Sequence, residues 1–125
     1  MKKTLLTGIA ALFLATGTAQ ATEDFCIVVT KTPDGFLALR EGPGTQFKII
    51  AKLKPGFPLD ADTAQGSTEC ATLAAGGEQA PETPKEMARY ERCMKEAQQW
   101  TRVWIAGRRS AWVYSKYTKP RDCPE

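Results

Sequence analysis

The stretch from Leu39 to Gly56, LREGPGTQFKIIAKLKPG, limits the possible folds more than any other part of the chain. Runs of alternating apolar and polar residues flank Gly42-Pro43-Gly44, and Pro55-Gly56 ends the second run. In the first run Leu37 and Leu39 share one face while Ala38 and Arg40 take the other; in the second, Ile49, Ala51 and Leu53 fall on one side. Alternation at period two marks half-buried strands, so the chain must turn sharply between them. Glycine supplies backbone angles closed to other residues, and proline restricts the unfolded chain. The triplet therefore reads as a tight corner in a small curved sheet. Arg40, on the outward beat, reads as a surface residue able to pair with a carboxylate, and secondarily as a ligand contact.

The same texture recurs at both ends of the chain. FCIVVTK (25–31) is β-branched and apolar, and Thr32-Pro33-Asp34-Gly35 is a turn signal. FPLDADT (57–63) is a shorter strand candidate. WTRVWIA (100–106) sets Val103 and Ile105 against Arg102 and Trp104, Gly107-Arg108-Arg109-Ser110 reads as a turn, and AWVYSKY (111–117) as a further strand. Residues 65–83, rich in Gly, Ala, Thr, Glu and Pro, read as loop. Thr83-Pro84-Lys85-Glu86 then has the form of a helix start, with a capping threonine, proline at the first helical position and Glu86 completing a capping box. Met87, Tyr90, Met94 and Ala97 recur at helical spacing through about residue 99. Five or six short strands with one helical insertion imply a mainly β chain, most simply a small closed barrel.

Met1-Lys2-Lys3, the apolar run 5–17 and Ala19-Gln20-Ala21 have the form of a signal peptide occupying residues 1–21. The apolar run is well short of the roughly 20 residues needed to span a bilayer, and no cysteine follows the cleavage site directly. Residues 22–125 then form one domain, with room for one modest core. Seventeen basic residues face fourteen acidic ones, and two of the basic ones lie in the leader. The remainder is close to neutral, without the basic footprint of a nucleic-acid binder. Four cysteines in an exported chain point to two disulfides, with three connectivities open. A zinc site fits poorly, because the chain has no histidine and no Cys-x-x-Cys.

The absence of histidine also removes Ser-His-Asp and Cys-His nucleophile systems, and no P-loop or dinucleotide fingerprint occurs. The expectation is a protein that is not an enzyme and needs no cofactor or metal. The remaining catalytic option is a carboxylate-dependent wall hydrolase using Asp60, Asp62 and Glu69, which lie close in sequence. Trp104, Trp112 and Tyr114 lie on the outward beat of two strands able to pair across the Gly107 turn, and form an aromatic binding candidate. The competing arrangement is that the inserted helix covers Trp104 through Met87, Tyr90 and Met94.

Leu37, Leu39, Arg40, Gly42, Pro43, Phe47, Ile49, Leu53 and Gly56, followed by Trp100, Val103, Trp112, Val113 and Tyr117, resemble the bacterial SH3-like domain family position by position. The likeness covers roughly residues 26–64 and 100–119. Ala111 departs from the family's glycine before Trp112, and the segment 65–99 replaces a short connection. The resemblance implies an SH3-like β-barrel interrupted by a helical insertion, with first and last strands adjacent. That adjacency implies disulfides Cys26–Cys123 and Cys70–Cys93. It also implies a binding or adaptor module whose ligand is a cell-wall peptide or an envelope protein, with Trp104, Trp112, Tyr114 and Arg40 as the contact candidates. The leader and the cysteines place it in the periplasm or outside the cell, the near-neutral charge leaves no nucleic-acid partner, and the short apolar run leaves no membrane insertion after cleavage. The alternative is a secreted interaction or inhibitor protein that uses the insertion.

Overall fold

The computed structural model describes residues 24–77, 80–106 and 109–124. The expected signal peptide lies outside the described residues. Seven strands form one open antiparallel sheet: β1 (Phe25–Val29), β2 (Leu37–Arg40), β3 (Ile49–Leu53), β4 (Pro58–Asp62), β5 (Trp100–Ile105), β6 (Arg109–Tyr114) and β7 (Thr118–Arg121), in the order β3-β2-β6-β5-β4-β1-β7. Helices α1 (Ser67–Ala75) and α2 (Pro84–Ala97) lie between β4 and β5, and a 3-10 turn (Ser115–Tyr117) joins β6 to β7. Ile27 and Val29 of β1, Leu59 and Ala61 of β4, Val103 of β5, Ala111 and Val113 of β6, Leu37 and Leu39 of β2 and Leu53 of β3 pack into one buried cluster. Strands far apart in the order thus share a core, so the sheet coils over itself, with β3 and β7 as its edges.

Four local features depart from the sequence reading. Only Leu53 of the β3 trio is buried, while Ile49 is 40% exposed. A bulge opposite Leu39 and Arg40 makes Ile50 the extra residue, which packs on the core while Ile49 joins Arg40. One inserted residue in a ladder moves its neighbours to the other face. Arg109 and Ser110, read as turn, belong to β6 and pair with Ile105 and Trp104. β7 went unread because Thr-Lys-Pro-Arg has no apolar alternation. It exists as an edge on β1, where Pro120 opposite Ile27 needs no outer partner.

The fourth departure is that the insertion holds two helices. α2 starts as expected: the Thr83 hydroxyl accepts from Glu86 N–H at 3.0 Å, and the Glu86 carboxylate accepts from Thr83 N–H at 3.2 Å. α1 has no side-chain cap and only weak amphipathicity, beginning and ending at left-handed glycines, Gly66 and Gly76. Tertiary contact sustains it. Cys70 is bonded to Cys93 of α2, and Arg89 donates to the Ala74 carbonyl at 2.8 Å. Cys70, Cys93 and Ala97 form a second small core with Phe47, Leu73, Tyr90 and Met94, leaving Met87 exposed. Cys26 is bonded to Cys123, fastening the chain's end beside β1. Both pairs are those implied by the resemblance.

Gly42-Pro43-Gly44 is not a left-handed corner, since the positive-φ glycines are Gly35, Gly56, Gly66 and Gly76. Its glycines leave room instead. A Cβ at Gly42 would fall within the Phe47 ring, and one at Gly44 would meet the Glu96 carboxylate of α2 at 2.9 Å. Pro43 between them is fully buried, and its ring lies against Gly66, where an added Cβ would sit 2.7 Å from Pro43 Cγ. The triplet is the seam along which the sheet docks onto its insertion.

Candidate functional site

Registers Arg40↔Trp112, Arg102↔Trp112, Trp104↔Ser110 and Trp100↔Tyr114 put these side chains on one outward face of the sheet. The insertion divides that face into three environments, so the four expected contact residues do not form one site.

Trp112 is removed from it. The ring is 0% exposed, lies against the Gly66 and Pro43 contact, and donates from Nε1 to Glu69 of α1 at 3.3 Å. Segment 66–75 closes over it, so its area serves packing and not ligand contact.

Tyr114 and Arg40 line a groove of about 440 Å³ with Phe36, Trp100, Tyr117 and Glu96. The Trp100–Tyr114 and Tyr114–Tyr117 ring centroids are each 5.7 Å apart, the first pair tilted at 42° and the second near edge-on at 68°, within the centroid range of favourable aromatic pairs. The Arg40 guanidinium lies 6.0 Å from the Trp100 centroid. It pairs with no carboxylate among the described residues; one terminal nitrogen donates to the carbonyls of Phe47 (2.8 Å) and Thr45 (3.3 Å), pinning the 41–47 segment. Its Nε is buried without a partner among the described residues. Thr45 N–H in turn donates to Glu96 at 3.3 Å, tying that segment to α2. Phe36, Trp100, Tyr117 and Glu96 were not read as site residues. Trp100 shares the parity of Trp104, a usable signal, but Phe36 and Tyr117 arrive from a loop and a 3-10 turn.

Trp104 stands apart from both, 37% exposed and not covered by α2. Its Nε1 donates to Asp62 at 2.8 Å. Arg102 grips the same carboxylate through Nε (3.1 Å) and a terminal nitrogen (2.8 Å) and stacks 4.8 Å from the Trp104 centroid. Burial pushes the Asp62 pKa up. The hydrogen bonds from Arg102, from Ala64 N–H and from the Trp104 indole outweigh it, so the carboxyl is held below its usual range. The three acids read as catalytic candidates therefore do not act as a pair: Asp62 is held by Arg102, Glu69 accepts from Trp112, and Asp60 is exposed across from Trp104.

No protein-family model, curated protein or solved structure matches the chain.

Proposed function

We propose that the protein is an exported SH3-like binding module of the bacterial cell envelope, taking an extended peptide in the groove walled by Phe36, Trp100, Tyr114 and Tyr117. The peptide comes from peptidoglycan or from an envelope protein. The convergence of four aromatic side chains from three separate segments carries this reading. Such rings offer large contact area at low entropic cost and suit peptide backbone and apolar side chains. The SH3-like assignment is supported by the resemblance over 26–64 and 100–119 and by a coiled sheet built from those two blocks. Export is supported by the leader-like residues 1–21 and by two disulfides, which persist in oxidising compartments. Among the described residues no helix is long and apolar enough to cross a membrane.

The test is retention on purified peptidoglycan together with fluorescence titration by soluble wall peptides and envelope-derived peptides. Tyr114→Ala and Tyr117→Ala should each weaken binding about tenfold, the loss typical of a contributing aromatic contact. Unchanged binding in both variants, with native circular dichroism, would refute the groove.

A second reading, a secreted interaction or inhibitor protein working through the helical pair, draws on the exposed Met87 at the start of α2. Met87→Glu separates the two, since it abolishes partner capture under this reading and leaves groove binding unaffected under the first.

A further inference from the structure

Beyond the groove, the outward side of β1, β4 and β5 carries an open hollow of about 1020 Å³ beside Trp104. Its walls combine two chemistries. The exposed indole, Phe25, Ile105 and the Cys26–Cys123 bridge are apolar, whereas Asp24, Asp60 and Asp62 contribute carboxylates, and no basic residue lines it among the described residues.

Asp62 is committed to Arg102 and Trp104. Asp60 is not. It lies across the ladder from Trp104 on one side and from Cys26 on the other. Among the described residues its carboxylate is in hydrogen-bond range only of the Cys26 sulfur at 3.7 Å, a disulfide sulfur with no proton to donate. Arg121, across the ladder from Cys26, lines an adjoining smaller hollow that Asp60 and Trp104 also border; its Nε is used on the Asp122 carbonyl, and it makes no ion pair with Asp60. The indole is already held in place by Asp62, and one cation, Arg102, stacks on it without lining the hollow.

We propose that this hollow is a second binding site, which takes a basic side chain of a partner polypeptide between the Trp104 ring and the Asp60 carboxylate. The charge of the walls selects the occupant. An electron-rich ring face attracts a cation, a carboxylate without a donor supplies its counter-charge, and the disulfide and Ile105 cover the methylene stem that lysine and arginine carry. A neutral apolar side chain would leave Asp60 desolvated and unpaired, which is unfavourable. The site is independent of the aromatic groove.

The experiment is an NMR titration of the disulfide-intact protein with N-acetyl-lysine amide and N-acetyl-arginine amide. N-acetyl-norleucine amide serves as the uncharged control, and triglycine supplies an α-ammonium without a side-chain stem. The two basic probes should shift the Trp104 indole N–H and the Ile105 and Ala106 amides, and bind at least fivefold more tightly than norleucine amide or triglycine. Asp60→Asn, a change at an exposed residue that makes no ion pair among the described residues, should weaken them at least fivefold and leave the fold intact. Tyr114→Ala should leave them unaffected, which keeps this result separate from the fate of the groove. Equal binding of norleucine amide or triglycine, unchanged affinity in Asp60→Asn, or shifts confined to Tyr114 and Tyr117 would each overturn the proposal.

Discussion

Asp62 and Trp104 lie on neighbouring strands and share a 2.8 Å hydrogen bond in which the indole donates to a carboxylate that Arg102 also grips. The bond orients an exposed ring that would otherwise rotate, and it explains why an aspartate with 1% of its side chain exposed is tolerated in a small sheet. Asp62→Ala leaves a guanidinium, an indole N–H and the Ala64 N–H without their acceptor, and should cost about 2–4 kcal/mol in urea unfolding. The pH dependence has a definite sign. Because the folded carboxyl is held below its ordinary value, its contribution is present above the usual carboxylate range, near pH 4, and is lost as pH falls through the lowered value. Stability measured against pH should therefore decline less steeply on the acid side in Asp62→Ala than in the wild type.

Two tryptophans of the same outward face should respond differently to truncation. Trp112→Ala empties a fully buried volume between β6 and α1 and should cost about 3–5 kcal/mol. Trp104→Ala removes an exposed ring and one hydrogen bond, about 1 kcal/mol. Chemical denaturation of the pair checks this, and equal losses would contradict the division of the face described above.

The seam at Gly42-Pro43-Gly44 makes a prediction about coupling. Gly42→Ala drives a methyl group into the Phe47 ring and should destabilise by about 1–3 kcal/mol. Combined with Phe47→Ala, the clash disappears, so the double variant should lose less than the sum of the singles by about 1–2 kcal/mol. Gly66→Ala, at φ +88° and against Pro43, should be at least as damaging as Gly42→Ala.

Replacing Cys70 and Cys93 together by serine opens the clasp on the insertion and should cost about 3 kcal/mol by the chain-entropy estimate for a loop of this size. Because α1 lacks a side-chain cap and a strong apolar stripe, it should lose helical ellipticity first. Trp112 fluorescence should shift to the red as its cover loosens, while the β-sheet signal persists.

Much of this molecule was legible in its residues. Apolar runs bounded by turn signals, some of them alternating, located six of the seven strands, and alternation assigned Val103, Leu37 and Leu39 to the core and Trp104, Trp112 and Tyr114 to the other face. Thr83 to Glu86 declared the start of α2, because a capping box is a contact among four consecutive residues. α1 was less legible, since Cys70 and Ala74 become apolar anchors only when α2 lies beside them.

Local periodicity sets which way a side chain points wherever the ladder is regular, as it is not at the β3 bulge, and the sequence by itself decided that much, along with the supply of cysteines and the absence of histidine. What covers a side chain depends on segments distant in the chain. Trp112 is closed off by Glu69, 43 positions away, and the Arg40 segment is tied to Glu96 through Thr45, 51 positions away. Only the tertiary structure could decide that Trp112 is buried, that Tyr114 lines a groove and that Trp104 stands beside Asp60. Solvent exclusion is a property of assembled surfaces, and no short stretch of sequence carries it.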